Sequence, residues 1–267
     1  MTEAHDGLVV SEVEPGIVLA TLDRPERLNA LTFATFARLD ELGARLAGDR
    51  SVRAVVVTGA GRGFCAGLDL DDAATLPAMS VPDMAAGQEL WARAVGRLRE
   101  VEVPVIAAVN GPAVGAGLSL ALAADVRLAA PEARFGAAFV RIGLGGGDCG
   151  SSWTLPRIVG LGHASELLLT GRVIDAAEAE RIGLVNRVVP AEGLLDAALD
   201  VAREIASNSP YGVRLTKRVL QVNVDAPSLA AAVELENRNQ VLAAQTADMA
   251  EALTAFRSRR PAEFQDR

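Results

Sequence analysis

The stretch "VVVTGAGRGFCAGLDL", Val55–Leu70, joins an apolar run to a glycine-rich turn. A second stretch, "AAVNGPAVGAGLSLALAADVRLA", Ala107–Ala129, has the same order of apolar run and glycine turn, followed by a run of small and apolar residues. Short apolar runs that end in glycine are typical of buried strands, and the small-residue run is typical of a closely packed helix. The recurrence of strand, turn and helix predicts a layered α/β core.

Apolar spacing predicts the elements on either side of these turns. The aliphatic and β-branched run Gly16–Asp23 is typical of a strand, and apolar residues three and four apart in Thr32–Asp49 are typical of an amphipathic helix. The same helical spacing predicts a helix over Asp83–Glu102. A capping pattern at Asp175 predicts a short helix that ends at Gly183.

The carboxyl-terminal part of the chain has a different character. From Ala191 onward the pattern is almost wholly helical, with predicted caps at Ser209 and Thr246. We place a boundary near Asn208, because an all-helical tail after an α/β core often serves assembly. The predicted units are an α/β core over residues 1–208 and a helical oligomerisation region over residues 209–267.

Composition excludes several classes of protein. The 267 residues are 50% hydrophobic, which is enough for one large core, and the formal net charge of −8 gives no general attraction to nucleic acid or anionic membranes. The chain has two cysteines, Cys65 and Cys149, and two distant histidines, so neither a disulfide framework nor a zinc site is expected. The acidic start lacks the pattern of a signal peptide, and no apolar run spans a bilayer. We expect a cytoplasmic protein without a metal site.

Two familiar motifs are nearly present. The spacing that follows Gly59 and Gly61 requires a third glycine where Phe64 stands, which argues against a dinucleotide-binding turn. "GLSLA" around Ser119 is similar to a serine nucleophile elbow, but a triad also needs a nearby histidine base. His5 and His163 are the histidines of this chain, and the sequence around His163 fits a surface position at the start of a helix.

The glycine turns suggest another chemistry. A strand that enters a helix through glycine presents backbone N–H groups without partners at the positive end of the helix dipole. Two such turns at one pocket can hold a developing oxyanion, and each donor of this kind contributes roughly 10²–10³ in rate. Tight packing of helix on sheet also selects glycine, so composition leaves both readings open.

The order of motifs resembles the crotonase family, also called the enoyl-CoA hydratase/isomerase family. The resemblance extends from about Val18 to the region of Phe256. The segments that carry it are "LDRPERLNALT", "VVVTGAGRGFCAGLDL", "AAVNGPAVGAGLSLALAADVRLA", "LPRIVG" and "ELLLTGRVIDAAEAERIGLVNRVV". The resemblance implies a spiral of β-β-α repeats with a carboxyl-terminal helical trimerisation region. It further implies homotrimers, often paired into hexamers, and acyl-CoA thioester substrates with coenzyme A as part of the substrate and no separate cofactor.

The resemblance also assigns site residues. The oxyanion donors it implies are the backbone N–H groups of Leu68 and Ala116, although the family more often has glycine at the second position. A solvated surface position is the alternative for Arg259. The residues expected to contact the substrate are Arg27, Leu28, Ala66, Gly67, Asp69, Leu70, Gly115, Ser119, Phe139, Phe256 and Arg259.

The chain departs from the family pattern at the positions of the two catalytic glutamates. Hydratases of the family place two glutamates over the substrate, and the matching positions hold Ser119 and Phe139, which cannot replace a carboxylate. Asp148 is the candidate replacement, since it resembles the acidic position of the family's dienoyl-CoA isomerases. It also resembles the nucleophile position of the dehalogenases, whose histidine base this chain lacks. The alternative for Asp148 is a cap for the helix near Ser151, which Ser151 or Ser152 could also supply.

The expected function is that of an acyl-CoA enzyme with an enolate intermediate. Hydration of an enoyl-CoA is the leading reaction and double-bond isomerisation the second. A catalytically silent acyl-CoA binder and a thioester hydrolase use the same fold and stay open as alternatives.

Overall fold

The computed structural model describes residues 2–267, which form two β-sheets with helices packed around them. The strands are Thr2–His5 (β1), Leu8–Glu14 (β2), Ile17–Leu22 (β3), Ala54–Gly59 (β4), Val105–Val109 (β5), Pro112–Val114 (β6), Val126–Ala129 (β7), Arg134–Gly136 (β8), Val173–Asp175 (β9) and Arg187–Val188 (β10).

Helices connect and cover these strands. They are Phe33–Gly48 (α1), Leu70–Ala73 (α2), Val81–Glu100 (α3), Ala116–Ala123 (α4), Ser151–Val159 (α5), Leu161–Thr170 (α6), Ala176–Arg181 (α7), Leu194–Ala206 (α8), Pro210–Asn223 (α9), Leu229–Ala243 (α10) and Ala247–Ser258 (α11). Within residues 2–267, no helix combines the length and apolar character that crossing a membrane requires.

The larger sheet has the order β1-β2-β3-β4-β5-β7-β10 and is parallel from β3 onward. Alternate side chains of β4 point to opposite faces, as the pleat of a strand requires. Val55 and Val57 belong to the core that contains α1 and α3, whereas Ala54 and Val56 pack with α8. Because helices cover both faces of this parallel sheet, nearly every residue of its strands is apolar, and their sequences are continuous apolar runs.

A smaller sheet, β6-β8-β9, lies at the carboxyl ends of the parallel strands. Cys65 extends it through a parallel bridge to Ala113. The strands β4, β5 and β7 lie in the large sheet. After each of them the chain pairs a second time, in the small sheet, at Cys65, β6 and β8 respectively, and then enters a helix. This repetition is a spiral of β-β-α units and confirms the predicted fold class.

Local signals located several elements correctly. The strand predicted over Gly16–Asp23 is β3, and the helices predicted over Thr32–Asp49 and Asp83–Glu102 are α1 and α3. The side chains of Thr32, Asp175, Ser209 and Thr246 each accept a hydrogen bond from a backbone N–H in the first turn of their helices. The sequence patterns did not reveal the edge strand β1, its antiparallel neighbour β2 or the short strands of the small sheet.

The carboxyl-terminal helices gather at the amino ends of the parallel strands. Lys217 of α9 is buried and donates to the carbonyl of Val103, just before β5, at 2.8 Å. The side chain of Arg53, just before β4, donates to the carbonyl of Asn208 at 2.5 Å. The proposed boundary near Asn208 lies between α8, which covers the sheet, and α9. The glycine turns are at the other end of these strands.

Gly117 permits the closest approach between α4 and the first turn. A Cβ atom at Gly117 would lie 2.0 Å from the carbonyl oxygen of Cys65, whereas one at Gly96 on α3 would meet no atom within 4 Å. We expect Gly117→Ala to lower the free energy of unfolding by about 1–3 kcal/mol through overpacking. Gly96→Ala should raise it by up to about 1 kcal/mol, because alanine favours the helix. Urea unfolding followed by circular dichroism measures both, and equal effects would contradict this packing.

Candidate active site

The two glycine turns touch each other. A Cβ atom at Gly67 would lie 2.8 Å from the carbonyl oxygen of Val114 and 3.5 Å from the backbone nitrogen of Ala116. Gly67 and Gly115 have φ values of 97° and 56°, which residues with a Cβ rarely adopt. Glycine therefore supplies the backbone conformation at both positions and, at Gly67, also the space for the contact.

The N–H group of Leu68 has no acceptor in the described chain, because the backbone bonds to Leu31 are made by the residues on either side of Leu68. Leu31 donates to the carbonyl of Gly67 at 2.7 Å and accepts from the N–H of Asp69 at 2.8 Å. These two bonds use the groups that face Leu31 and leave the Leu68 N–H directed to the other side. That N–H donates to no backbone or side-chain acceptor within residues 2–267.

The N–H group of Ala116 is the second free donor. Ala116 is the first residue of α4, so its N–H has no partner inside the helix, and it finds none elsewhere in the described chain. Gly115 takes the positive φ, and Ala116 is not among the residues with positive φ. A Cβ is therefore compatible with this position, and alanine in place of the family's usual glycine leaves the donor in place.

A buried ion pair lies under the first turn. The Asp69 carboxylate is 2% exposed; its Oδ2 accepts from Arg24 Nη1 at 2.7 Å, and its Oδ1 accepts from the N–H of Asp71 at 2.9 Å at the start of α2. The Arg24 hydrogen bond holds the pKa of Asp69 below its ordinary value. Because both oxygens are bonded within the protein, the Asp69 side chain supports the turn.

Asn29 completes this support, and the sequence analysis did not single it out. Its Nδ2 donates to the carbonyls of Ala60 and Gly63 at 2.9 and 2.7 Å, and its Oδ1 accepts from the N–H of Arg24 at 2.9 Å. Asn29 is buried and has a φ of 57°, which asparagine tolerates better than most residues. The signal that the sequence offered was the residue type itself, because asparagine after the turn at Pro25 favours this backbone conformation.

Several predicted substrate contacts lie together at the mouth of the first turn. The N–H of Ala66 donates to the carbonyl of Leu28 at 3.0 Å, and Arg27 reaches Asp71 at 2.9 Å. Leu70 is exposed at the start of α2. A polar and partly apolar rim therefore borders the free N–H of Leu68.

Asp148 does not cap α5. The residue before that helix is Gly150, with a φ of 81°, and neither Ser151 nor Ser152 supplies a side-chain cap. The Oδ1 atom of Asp148 accepts hydrogen bonds from the Gln88 side-chain amide and, at 2.8 Å, from the N–H of Cys149. The cap alternative is therefore wrong, and Asp148 is a half-buried carboxylate held beside α3 and α4.

Ser119 and Phe139 are both buried. The Ser119 hydroxyl donates to the backbone carbonyl of Asp148 at 3.1 Å, and Ser119 lies one turn of α4 after Gly115. A Cβ atom at Gly115 would lie 3.6 Å from the Phe139 ring. The Ser119 hydroxyl therefore anchors the Asp148 loop, and Phe139 packs directly against the second glycine turn.

Comparison with known proteins agrees with this geometry. The family model described as "Enoyl-CoA hydratase/isomerase" matches residues 12–267. A Mycobacterium tuberculosis protein named "Probable enoyl-CoA hydratase" is 44% identical over 264 residues, which cover 97% of this chain and 93% of that protein. The chain belongs to the enoyl-CoA hydratase/isomerase family. The resemblance seen in the motifs is confirmed.

Two further members of the family are similar over almost their whole lengths. The 1,2-epoxyphenylacetyl-CoA isomerase of Escherichia coli is 39% identical over 257 residues, covering 96% of this chain and 97% of that protein. The crystal structure of an enoyl-CoA hydratase from Bacillus anthracis has a TM-score of 0.92 at 32% identity, and the match covers 98% of this chain and 100% of that chain. Hydratases and isomerases of the family thus share this architecture.

Two predicted site residues of this family member are not beside the glycine turns. Phe256 and Arg259 lie at the end of α11, and Phe256 is 84% exposed. Helix α11 is anchored at its start, where Asp248 contacts Ser209 at 3.4 Å, at the amino ends of the parallel strands. A single chain therefore does not bring these residues into contact with the free N–H groups.

The ion pair under the first turn predicts a pH-dependent stability. We expect Asp69→Asn to lower the free energy of unfolding at pH 7 by about 1.5–3 kcal/mol, because it leaves Arg24 without its charged partner. The folded-state pKa of Asp69 is lowered, so its contribution is fully present above its ordinary pKa of about 4 and is lost as the pH falls through the folded value. The difference from the parent protein should therefore shrink in acid, which urea unfolding across pH 3–7 measures.

Asp71→Asn is the matched control in the same turn. Its side chain is 76% exposed, and we expect its loss to change stability by less than about 1 kcal/mol. A constant difference between Asp69→Asn and the parent protein down to the lowest pH would contradict the assignment.

Proposed function

We propose that this protein is an acyl-CoA enzyme that holds a thioester carbonyl oxygen between the N–H groups of Leu68 and Ala116 and moves a proton with Asp148. The observation that carries the proposal is the pairing of two free N–H groups on touching turns with one half-buried acid, Asp148, whose backbone carbonyl is bonded to Ser119, one helical turn after Gly115. The N–H groups stabilise the negative charge that develops on the carbonyl oxygen. The carboxylate supplies the acid–base group that the reaction needs.

Hydration of a 2-enoyl-CoA is the leading reaction. As the oxygen of a water molecule bonds to C3, the Asp148 carboxylate takes one proton of the water. The electron pair of the C2=C3 bond moves toward the thioester, and the enolate oxygen accepts hydrogen bonds from Leu68 and Ala116. Asp148 then returns the proton to C2, so that one water is added in total and a single carboxylate performs both proton transfers.

Double-bond isomerisation is the second candidate, and the distribution of acids favours it. Asp69 is bonded at both oxygens and Asp72 accepts from the N–H of Phe33 at 2.7 Å through Oδ2, whereas Oδ2 of Asp148, whose loop is bonded to α4, accepts from no group within residues 2–267. Removal of a proton from C2 of a 3-enoyl-CoA and its return at C4 require one such group. The isomerase relative from Escherichia coli supports this alternative.

The rest of the substrate would bind around the first turn. We assign the coenzyme A portion to the rim formed by Arg27, Leu28, Ala66 and Leu70, where an arginine can pair with phosphate. Phe256 and Arg259 would reach the coenzyme A bound by another copy of the chain. Neither water addition nor proton transfer changes the oxidation state of the enzyme, so the reaction calls for no redox cofactor. Two buried free thiols, Cys65 and Cys149, support a reducing cytoplasmic setting.

The central prediction concerns Asp148→Asn. We expect the parent protein to add one water to a 2-enoyl-CoA or to shift the double bond of a 3-enoyl-CoA. The variant should lower kcat by about 10²–10⁴-fold, because asparagine cannot accept and return a proton. Incubation with saturated, 2-enoyl and 3-enoyl thioesters, followed by mass spectrometry and by chromatography of the isomers, measures both reactions.

Asp200→Asn is the matched control, since Asp200 is exposed on α8, on the far side of the sheet. It should behave as the parent protein does. Tight binding with every thioester unchanged would identify an acyl-CoA binder instead, and release of free coenzyme A would identify a thioester hydrolase.

The position of Phe256 and Arg259 predicts an oligomer. Sedimentation equilibrium should give a mass three or six times that of the 27.8 kDa chain. A monomer that turns over substrate at full rate would show that these residues are not part of the site.

A further inference from the structure

Gln88 lies in the middle of α3 and belongs to none of the motifs that identify the family. Its side-chain amide donates to Oδ1 of Asp148, sixty residues further along the chain. One turn after Gln88, the buried Trp91 ring stacks on Phe33 of α1, with ring centres 4.8 Å apart and planes at 11°. The amide is therefore presented by a helix whose position is fixed by packing.

The backbone around Asp148 does not hold the carboxylate by itself. The loop Gly143–Gly150 contains five glycines, and a Cβ atom at Gly143, Gly145 or Gly150 would meet no atom within 4 Å. Such a loop loses much conformational entropy when it is ordered. Its backbone is held by Ser119 of α4, whose hydroxyl donates to the Asp148 carbonyl, and by Ser151 of α5, whose N–H donates to the same carbonyl at 3.0 Å; the Gln88 amide on α3 holds the side chain.

The two oxygens of the Asp148 carboxylate have different surroundings. Oδ1 accepts from the Gln88 amide and from the N–H of Cys149, whereas Oδ2 accepts from no group within residues 2–267. The lone pairs of Oδ1 that face Gln88 and Cys149 are already engaged, so Oδ2 is the oxygen available to a proton. Cys149 has a φ of 48°, and its N–H bonds the carboxylate of the preceding residue in this left-handed conformation.

We propose that Gln88 is a positioning residue for proton transfer: by holding Oδ1 of Asp148, it presents Oδ2 to the substrate carbon next to the oxyanion donors. The inference rests on the proposed function, because it concerns the acid that the reaction uses. Gln88 itself neither gains nor loses a proton. Its effect is on the orientation of the carboxylate, and a carboxylate displaced by about 1 Å can lose up to 10²-fold in rate.

Two substitutions separate orientation from packing. Gln88→Met keeps nearly the same length and volume without a donor, and Gln88→Glu keeps the shape but places a second carboxylate against Asp148. We expect kcat to fall about 10–100-fold in Gln88→Met and further in Gln88→Glu, with KM for the acyl-CoA changed less than about threefold. Exchange of the C2 protons of a saturated acyl-CoA with D₂O, followed by mass spectrometry, should slow by the same factor as kcat.

Glu89→Gln is the matched control on the next residue of α3, where the side chain is exposed and touches neither turn. It should leave kcat, KM and exchange unchanged. Retention of the parental kcat by Gln88→Met, or a raised KM at constant kcat, would assign Gln88 to packing and overturn the inference. Asp148→Asn in the same assays keeps the two proposals apart. Full exchange of the C2 protons in Asp148→Asn would refute the proposed function. Loss of exchange in Asp148→Asn, together with parental exchange and kcat in Gln88→Met, would refute only the role of Gln88.

Discussion

The contact between the two glycine turns is the constraint on which the rest of the site depends. The parallel pairing of β4 with β5 brings their carboxyl ends to neighbouring positions, and the bridge from Cys65 to Ala113 continues that alignment into the small sheet. Gly67 and Gly117 then let the backbones approach to distances that any Cβ atom would prevent. This close approach is the reason why the proposed function assigns the N–H groups of Leu68 and Ala116 to one oxygen atom.

The carboxylates of Asp69 and Asp148 have different hydrogen-bond partners. Asp69 lies under the first turn, where Arg24 neutralises it and both of its oxygens are bonded, so its charge supports structure. Asp148 meets only uncharged donors, at one of its oxygens, and the other accepts from no group within residues 2–267. The difference between the supporting carboxylate and the one proposed to move a proton therefore follows from their partners, since the residue type is the same.

Local sequence signals were sufficient where neighbouring residues decide the structure. A hydroxyl or carboxylate before a helical run predicted the caps at Asp175, Ser209 and Thr246, because each cap bonds an N–H only three residues away. The buried parallel strands were also recognisable from their apolar runs. The edge strand β1, its antiparallel neighbour β2 and the short strands of the small sheet were not recognised, since their pairing depends on where folding places their partners.

The sequence by itself determined the fold class and the family, and it predicted the two turns that carry the N–H donors. These properties depend on ordered motifs and on glycines whose backbone conformations are set locally. Only the tertiary structure decided that Asp148 is held by Gln88 and does not cap α5, that Asp69 and Ser119 support the site from below, and that Phe256 lies away from the turns of its own chain. Hydrogen bonds between residues tens of positions apart leave no periodic trace in a sequence, and folding alone brings the partners together.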